Sequence, residues 1–194
     1  MAALSAMTAE DKPMVCAVMT DNAVNNKAAG MEYAGTKYTF CCGMCPGAFK
    51  KDPAKYVKTA AESDMVIGTS LFDAVTGARI DLKKAKFSSD YKGTRFWFNT
   101  ADEKATFDKN PAKYGTTPAK ESMVCAVSGE AIADYGTSAG YVDFEGVRYY
   151  ACCEGCFPTL KKDIASLKAN DKVKVTSPKV ITGHNNTPHN HDGM

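Results

Sequence analysis

The chain lacks what many simple functional assignments require. No apolar run approaches the length of about 18 residues that a membrane-spanning helix needs, so no membrane span is expected. Neither sign of charge dominates: Lys and Arg number 24 against 22 Asp and Glu. Without a basic block, nucleic acid is not expected as the main partner. Histidine is scarce, and His184, His189 and His191 all lie in the tail. No imidazole is therefore at hand in the body of the chain. No Ser, His or paired-carboxylate constellation for hydrolysis stands out, and no Cys-x2-Cys opens a thioredoxin-like βαβ unit. The chain is accordingly not expected to be an enzyme. The start, MAALSAMTAEDKP, is small and polar. It fits a processed N-terminus, and export to the periplasm or beyond the cell is the expectation.

What the chain does have is sulfur in a pattern. Its eight cysteines fall into two groups of four: Cys16, Cys41, Cys42 and Cys45, then Cys125, Cys152, Cys153 and Cys156. MVCAV occurs at Met14–Val18 and again at Met123–Val127. TFCCGMC, at Thr39–Cys45, has its counterpart in YACCEGC, at Tyr150–Cys156. A third copy of the frame lies between them without cysteine. There CAV becomes DAV at Asp73, Tyr33-x-Gly35 becomes Tyr91-x-Gly93, and FKKDPAKY becomes FDKNPAKY. A repeat of this length marks a small supersecondary unit used three times.

Each copy reads as a loop, a β-hairpin and a helix. Strand-forming residues flank a glycine in EYAGTKYTF, DYKGTRFWF and VDFEGVRYYA, the signal of a tight hairpin. Cys156, Leu160, Ile164 and Leu167 form one apolar helical face. Asp52-Pro53 and Asn110-Pro111 read as a cap followed by proline at the first helical position, so the helix breaks there in the first two units. The stretches 59–69 and 115–122 read as linkers, and KVKVTS as a possible strand beyond the third helix. The last ten or so residues lack the apolar content to fold.

A unit of about 50 residues buries little apolar surface and needs a metal, a disulfide or a neighbour. The cysteine units fit the first two solutions, and both remain open from spacing alone. The middle unit carries Phe87, Tyr91, Phe96, Trp97 and Phe98 instead, read as an aromatic core. Its Asn99, Thr100 and Glu103 replace the cysteine cluster, and Thr100–Glu103 reads as a capping box. The clusters in the other units should then also open helices, where the helix dipole favours thiolate. An oxygen site of Asp73, Asn99 and Glu103 is the lesser alternative to that cap.

These motifs resemble the YHS domain, grouped with the TRASH class of heavy-metal modules. Cys16, the hairpin ending in YTFCCGMC with Cys41 and Cys45, and KKDPAKY carry the resemblance in the first unit. Cys125, Cys152 and Cys156 carry it in the third, which lacks the DP step. The middle unit matches in frame only. The resemblance implies an α+β fold of three tandem treble-clef-like units, at residues 14–60, 66–118 and 122–168, followed by a tail at 169–194. It implies metal binding by Cys16, Cys41 and Cys45 and by Cys125, Cys152 and Cys156.

Cys42 and Cys153 stand where this family commonly has serine, and they are assigned as extra ligands or oxidation partners. The ion expected is copper as Cu(I), or zinc. Met14, Met123 and Met44 add thioethers that suit the softer ion. Metal handling, sensing or resistance is the implied role. The alternative is a zinc- or disulfide-stabilised scaffold that binds another protein or a second copy of the chain.

Overall fold

The computed structural model of the chain describes residues 12–24 and 30–182. The histidine-bearing tail residues 184, 189 and 191 lie outside the described residues, as do the last ten residues, the stretch expected not to fold. The fold is α+β. In chain order the strands are β1 (Gly30–Tyr33), β2 (Thr36–Thr39), β3 (Gly68–Ser70), β4 (Phe87–Tyr91), β5 (Thr94–Phe98), β6 (Lys120–Ser122), β7 (Gly140–Phe144), β8 (Val147–Ala151), β9 (Val175–Thr176) and β10 (Ile181–Thr182). The helices are α1 (Cys45–Lys51), α2 (Pro53–Ser63), α3 (Ala101–Lys109), α4 (Pro111–Tyr114) and α5 (Cys156–Leu167). One sheet has the order β10-β1-β2-β3-β5-β4 and the other β7-β8-β6-β9.

Three hairpins form the frame. Each turns through two residues with positive φ: Ala34-Gly35, Lys92-Gly93 and Glu145-Gly146. That combination is a type I′ turn, whose twist matches that of the paired strands, and glycine relieves its second position. The turns fix equivalent registers. Glu32 faces Lys37, Asp90 faces Arg95 and Asp143 faces Arg148. The two arginines make bidentate pairs with their aspartates, at 2.8 and 2.9 Å for Arg95 and 2.7 Å twice for Arg148. Each also donates to a distant backbone carbonyl, Arg95 to that of Lys12 and Arg148 to that of Thr116. The fork geometry of arginine suits this double task.

The helix breaks fall at the predicted Asp-Pro and Asn-Pro steps. The Asp52 side chain accepts from the Lys55 N–H at 3.1 Å, and Asn110 Oδ1 accepts from Lys113 N–H at 3.2 Å. Proline opens α2 and α4 without losing a helical bond, because the first N–H groups of a helix are unpaired in any case. The third unit lacks this step, and α5 runs through with a kink at Asp163 (φ −120°, ψ 17°).

Two expectations need correction. The stretch 59–69 is not a linker: α2 continues to Ser63 and β3 begins at Gly68. Ala60, Val66 and Ile67 are buried there, so apolar contact orders the segment. Moreover, β3 pairs antiparallel with β2 and parallel with β5. The first two units therefore share one sheet, which β10 extends at the β1 edge, and they are not free-standing modules.

The second correction concerns Trp97. The middle core is Phe96, Phe98 and Phe107, with Phe107 centred 4.9 Å from Phe96 and 5.3 Å from Phe98. Phe87 and Tyr91 pack on its margin. Along β5, side chains alternate between faces, so Trp97 points away from Phe96 and Phe98 and is only half-buried. Phe49 plays the part of Phe107 in the first unit, 4.7 Å from Tyr38 and 5.5 Å from Phe40. Leu160 and Ile164 fill that place under Tyr149 and Ala151 in the third.

These placements separate two aromatic truncations. Phe107→Ala should lower unfolding free energy by about 3–5 kcal/mol, the usual range for a buried large aromatic. Trp97→Ala should lower it by clearly less. Urea unfolding of the two variants checks this, and equal losses would return Trp97 to the core.

Candidate metal centres

Each cysteine group draws on two elements. The first cysteine sits on a tight loop that folds back on itself. Cys16 N–H donates to Asn22 C=O at 2.8 Å and Cys125 N–H to Glu130 C=O at 2.8 Å. In the third unit the loop is closed by Gly129 N–H donating to Cys125 C=O at 2.7 Å, with Gly129 at φ +76°, a conformation that favours glycine. The remaining cysteines come from the hairpin exit and the helix start. Cys45 is the first residue of α1 and Cys156 the first of α5. Neither helix has a side-chain cap on its N-terminal N–H groups. In α3 the same position carries the expected capping box: Glu103 N–H donates to Thr100 Oγ1 at 3.2 Å, and Thr100 N–H to Glu103 Oε2 at 2.9 Å. Sulfur thus stands where the middle helix has a cap.

The loops and helix starts bring three sulfurs together twice. Cys16, Cys41 and Cys45 have their Sγ atoms within 4.8 Å of one another, as do Cys125, Cys152 and Cys156. The Cys41–Cys45 and Cys152–Cys156 separations are both 3.8 Å. Two thiolates at about 2.3 Å from one ion lie roughly 3.8–4.0 Å apart, so the donor sets fit a thiolate-bound metal. Cys16 and Cys125 are fully buried, whereas Cys41 is exposed and Cys152 half-buried. Each site has a closed floor and an open lip through which an ion can enter without unfolding the chain. All eight cysteines carry free thiols.

The electrostatics point the same way. Burial raises the Cys125 thiol, but N–H groups of Cys152, Ser128 and Val127 and the Ser128 hydroxyl outweigh it and bring the thiol down to about 7. For Cys16, burial is likewise outweighed by N–H groups of Met19, Val18 and Cys41, and the thiol is lowered. The partner thiols move upward. Burial and the adjoining Cys125 push Cys152 up to about 11, and burial with neighbouring thiols raises Cys41, Cys45 and Cys156. The first sulfur in each site is thus the more easily ionised of the three, and its charge opposes ionisation of the others. A cation among them reverses that opposition.

Residues 22–60 match the YHS domain. No curated protein matches the chain, and neither does any solved structure. The YHS segment holds Cys41, Cys42 and Cys45 but not Cys16, which the fold delivers from outside it. The second triad lies wholly outside the YHS segment.

Other residues singled out from sequence are placed differently. Cys42 and Cys153 are exposed and stand outside the triads. Cys42 lies 3.3 Å from Cys45 but does not join the three-sulfur group. Met14 is no ligand: it is buried, and its Sδ accepts from Thr39 and Thr69 hydroxyls at 3.7 and 3.8 Å. Met123 packs against the Phe72–Tyr150 core. Met19 was missed: its Sδ lies 4.0 Å from Cys41 Sγ, and its N–H donates to Cys16 Sγ at 3.4 Å. The only sequence signal was its position three residues after the loop cysteine.

The oxygen-site alternative in the middle unit does not assemble. Glu103 spends its carboxylate on the Thr100 and Asn99 N–H groups. Asp73 copies the loop cysteine instead. Its Oδ1 accepts from Val75 and Thr76 N–H groups at 2.7 and 3.2 Å, while Oδ2 is buried without a partner. Burial raises the Asp73 carboxyl, and these N–H groups offset it only in part. Above the ordinary aspartate range the unfolded chain therefore binds fewer protons than the folded one. Stability is lost as pH rises through the elevated folded value, and the deficit persists at neutral pH. Asp73→Asn should stabilise the protein by about 1 kcal/mol near neutral pH, with little gain at about pH 3. Thermal unfolding at both pH values tests this, and a gain of the same size at both would rule out ionisation as its cause.

Proposed function

We propose that the chain is a soft-metal-binding protein with two three-thiolate sites, Cys16–Cys41–Cys45 and Cys125–Cys152–Cys156, serving metal handling or resistance rather than catalysis. The observation that carries this reading is the pair of triads, each with a buried sulfur below two sulfurs at 3.8 Å. The YHS segment at 22–60 supports it. We further read the chain as three tandem treble-clef-like units of the YHS/TRASH kind, the middle one without its metal. Support comes from equivalent bonds in all three: Cys16, Asp73 and Cys125 each donate N–H to a carbonyl five or six residues on, at 2.8, 2.9 and 2.8 Å.

Cu(I) is the ion we favour over Zn(II). Structural zinc takes four ligands in a closed tetrahedron, and the fourth cysteine of each group stands outside its triad. Cu(I) is satisfied by soft sulfur donors. Each ligand must lose its proton when the ion binds, so retention weakens as pH falls.

Competition between Cu(I) and Zn(II) on the reduced chain decides the matter. Two Cu(I) per chain are expected, retained in the Cys42→Ser/Cys153→Ser variant and reduced to one in Cys125→Ser. If the parent instead holds Zn(II) in preference and the double variant loses it, the sites are four-coordinate. The zinc-stabilised scaffold is then the better reading.

A further inference from the structure

The two triads are alike in sulfur and unlike at one neighbouring position. Met19 follows Cys16 by three residues, and Ser128 follows Cys125 by three. The backbone N–H of each is directed at the loop sulfur before it. The side chain of each touches the equivalent cysteine at the hairpin exit. Met19 Sδ lies 4.0 Å from Cys41 Sγ, and Ser128 Oγ lies 3.4 Å from Cys152 Sγ. One lip thus carries a thioether, the other a hydroxyl.

The surroundings extend the contrast. Met19 is 48% exposed and Met44, the residue before Cys45, is 82% exposed. They are two of the four large apolar side chains exposed among the described residues, and both border one site. The residues in their places at the other site are Ser128 and Gly155. Ser128 Oγ also lies 3.3 Å from Glu130 Oε2, which brings a carboxylate to that lip. No packing requirement explains an uncovered methionine against an exposed cysteine.

We propose that the sites are unequal, and that position 19/128 sets the inequality: Met19 gives the Cys16 site a thioether donor that makes it the preferred Cu(I) site. This rests on the metal-binding reading of the triads. A thioether is a neutral, soft donor that binds Cu(I) well and hard ions poorly, whereas a hydroxyl has the opposite bias. It also adds a fourth donor without a fourth negative charge, which would raise the repulsion already present among the thiols. Ser128 offers Cu(I) no comparable bond. The Cys125 site is left as a plain three-thiolate centre with an oxygen-lined lip.

The test uses the full reduced chain and Cu(I) itself. One equivalent of Cu(I) is added without oxygen, free thiols are alkylated, and protected cysteines are mapped by mass spectrometry. Cys16, Cys41 and Cys45 should be protected before Cys125, Cys152 and Cys156, with a preference of roughly tenfold or more, as expected for a change beside the ligands. Met19→Ser should abolish the preference, and Met19→Ser/Ser128→Met should invert it. Both positions are at the surface lip, so folding should be unaffected; circular dichroism checks that. Even protection in the parent, or an order unchanged by the exchange, would overturn the inference while leaving Cu(I) binding intact. Absence of protection at both triads with two equivalents would instead bring down the metal-binding reading on which it rests.

Discussion

Three sulfurs held within 4.8 Å of one another impose the constraint around which each site is organised. As thiols they pack tolerably, but as thiolates they repel. Their closeness must therefore be imposed by the backbone until an ion can make it favourable. Two rigid pieces impose it: a tight loop that carries one sulfur, and a hairpin that leads straight into a helix carrying the others. Neither piece is large. What steadies them is the sheet, the paired Arg95 and Arg148, and the single large side chains, Phe49 or Leu160, that lock each helix over its hairpin.

The middle segment shows what this architecture does without sulfur. Where the cysteine helices leave their first N–H groups uncapped beside the cluster, α3 closes with Thr100 and Glu103. Where Cys16 and Cys125 accept N–H bonds through sulfur, Asp73 accepts them through a carboxylate oxygen. The replacement is sufficient for folding but imperfect, since Asp73 Oδ2 is buried without a partner. Its position also has a mechanical consequence. Because β3 pairs with β2 on one side and β5 on the other, the cysteine-free segment buttresses the hairpin that delivers Cys41 and Cys45.

Much of this was legible in the chain itself, for identifiable reasons. The hairpins follow from glycine at positions that require positive φ. The helix breaks follow from proline, and the Thr100–Glu103 cap from two residues at fixed spacing. These are local effects, set by neighbours along the chain. The two groups of four cysteines were legible because the same spacing recurs. Trp97 was misread because alternation along β5 places it opposite Phe96 and Phe98, and composition alone does not tell one face from the other.

The residues by themselves thus determined the hairpin turns, the proline-set helix breaks and the sulfur donors, since each depends on steric or hydrogen-bonding preferences reaching only a few residues. Tertiary structure alone decided which sulfurs meet and what surrounds them. It set Cys42 and Cys153 outside the triads, turned Met14 inward to Thr39 and Thr69, and laid Met19 against Cys41. It also joined the first two units through β3. These outcomes depend on contacts between segments far apart in the chain, where burial and distance, rather than local preference, select the neighbour.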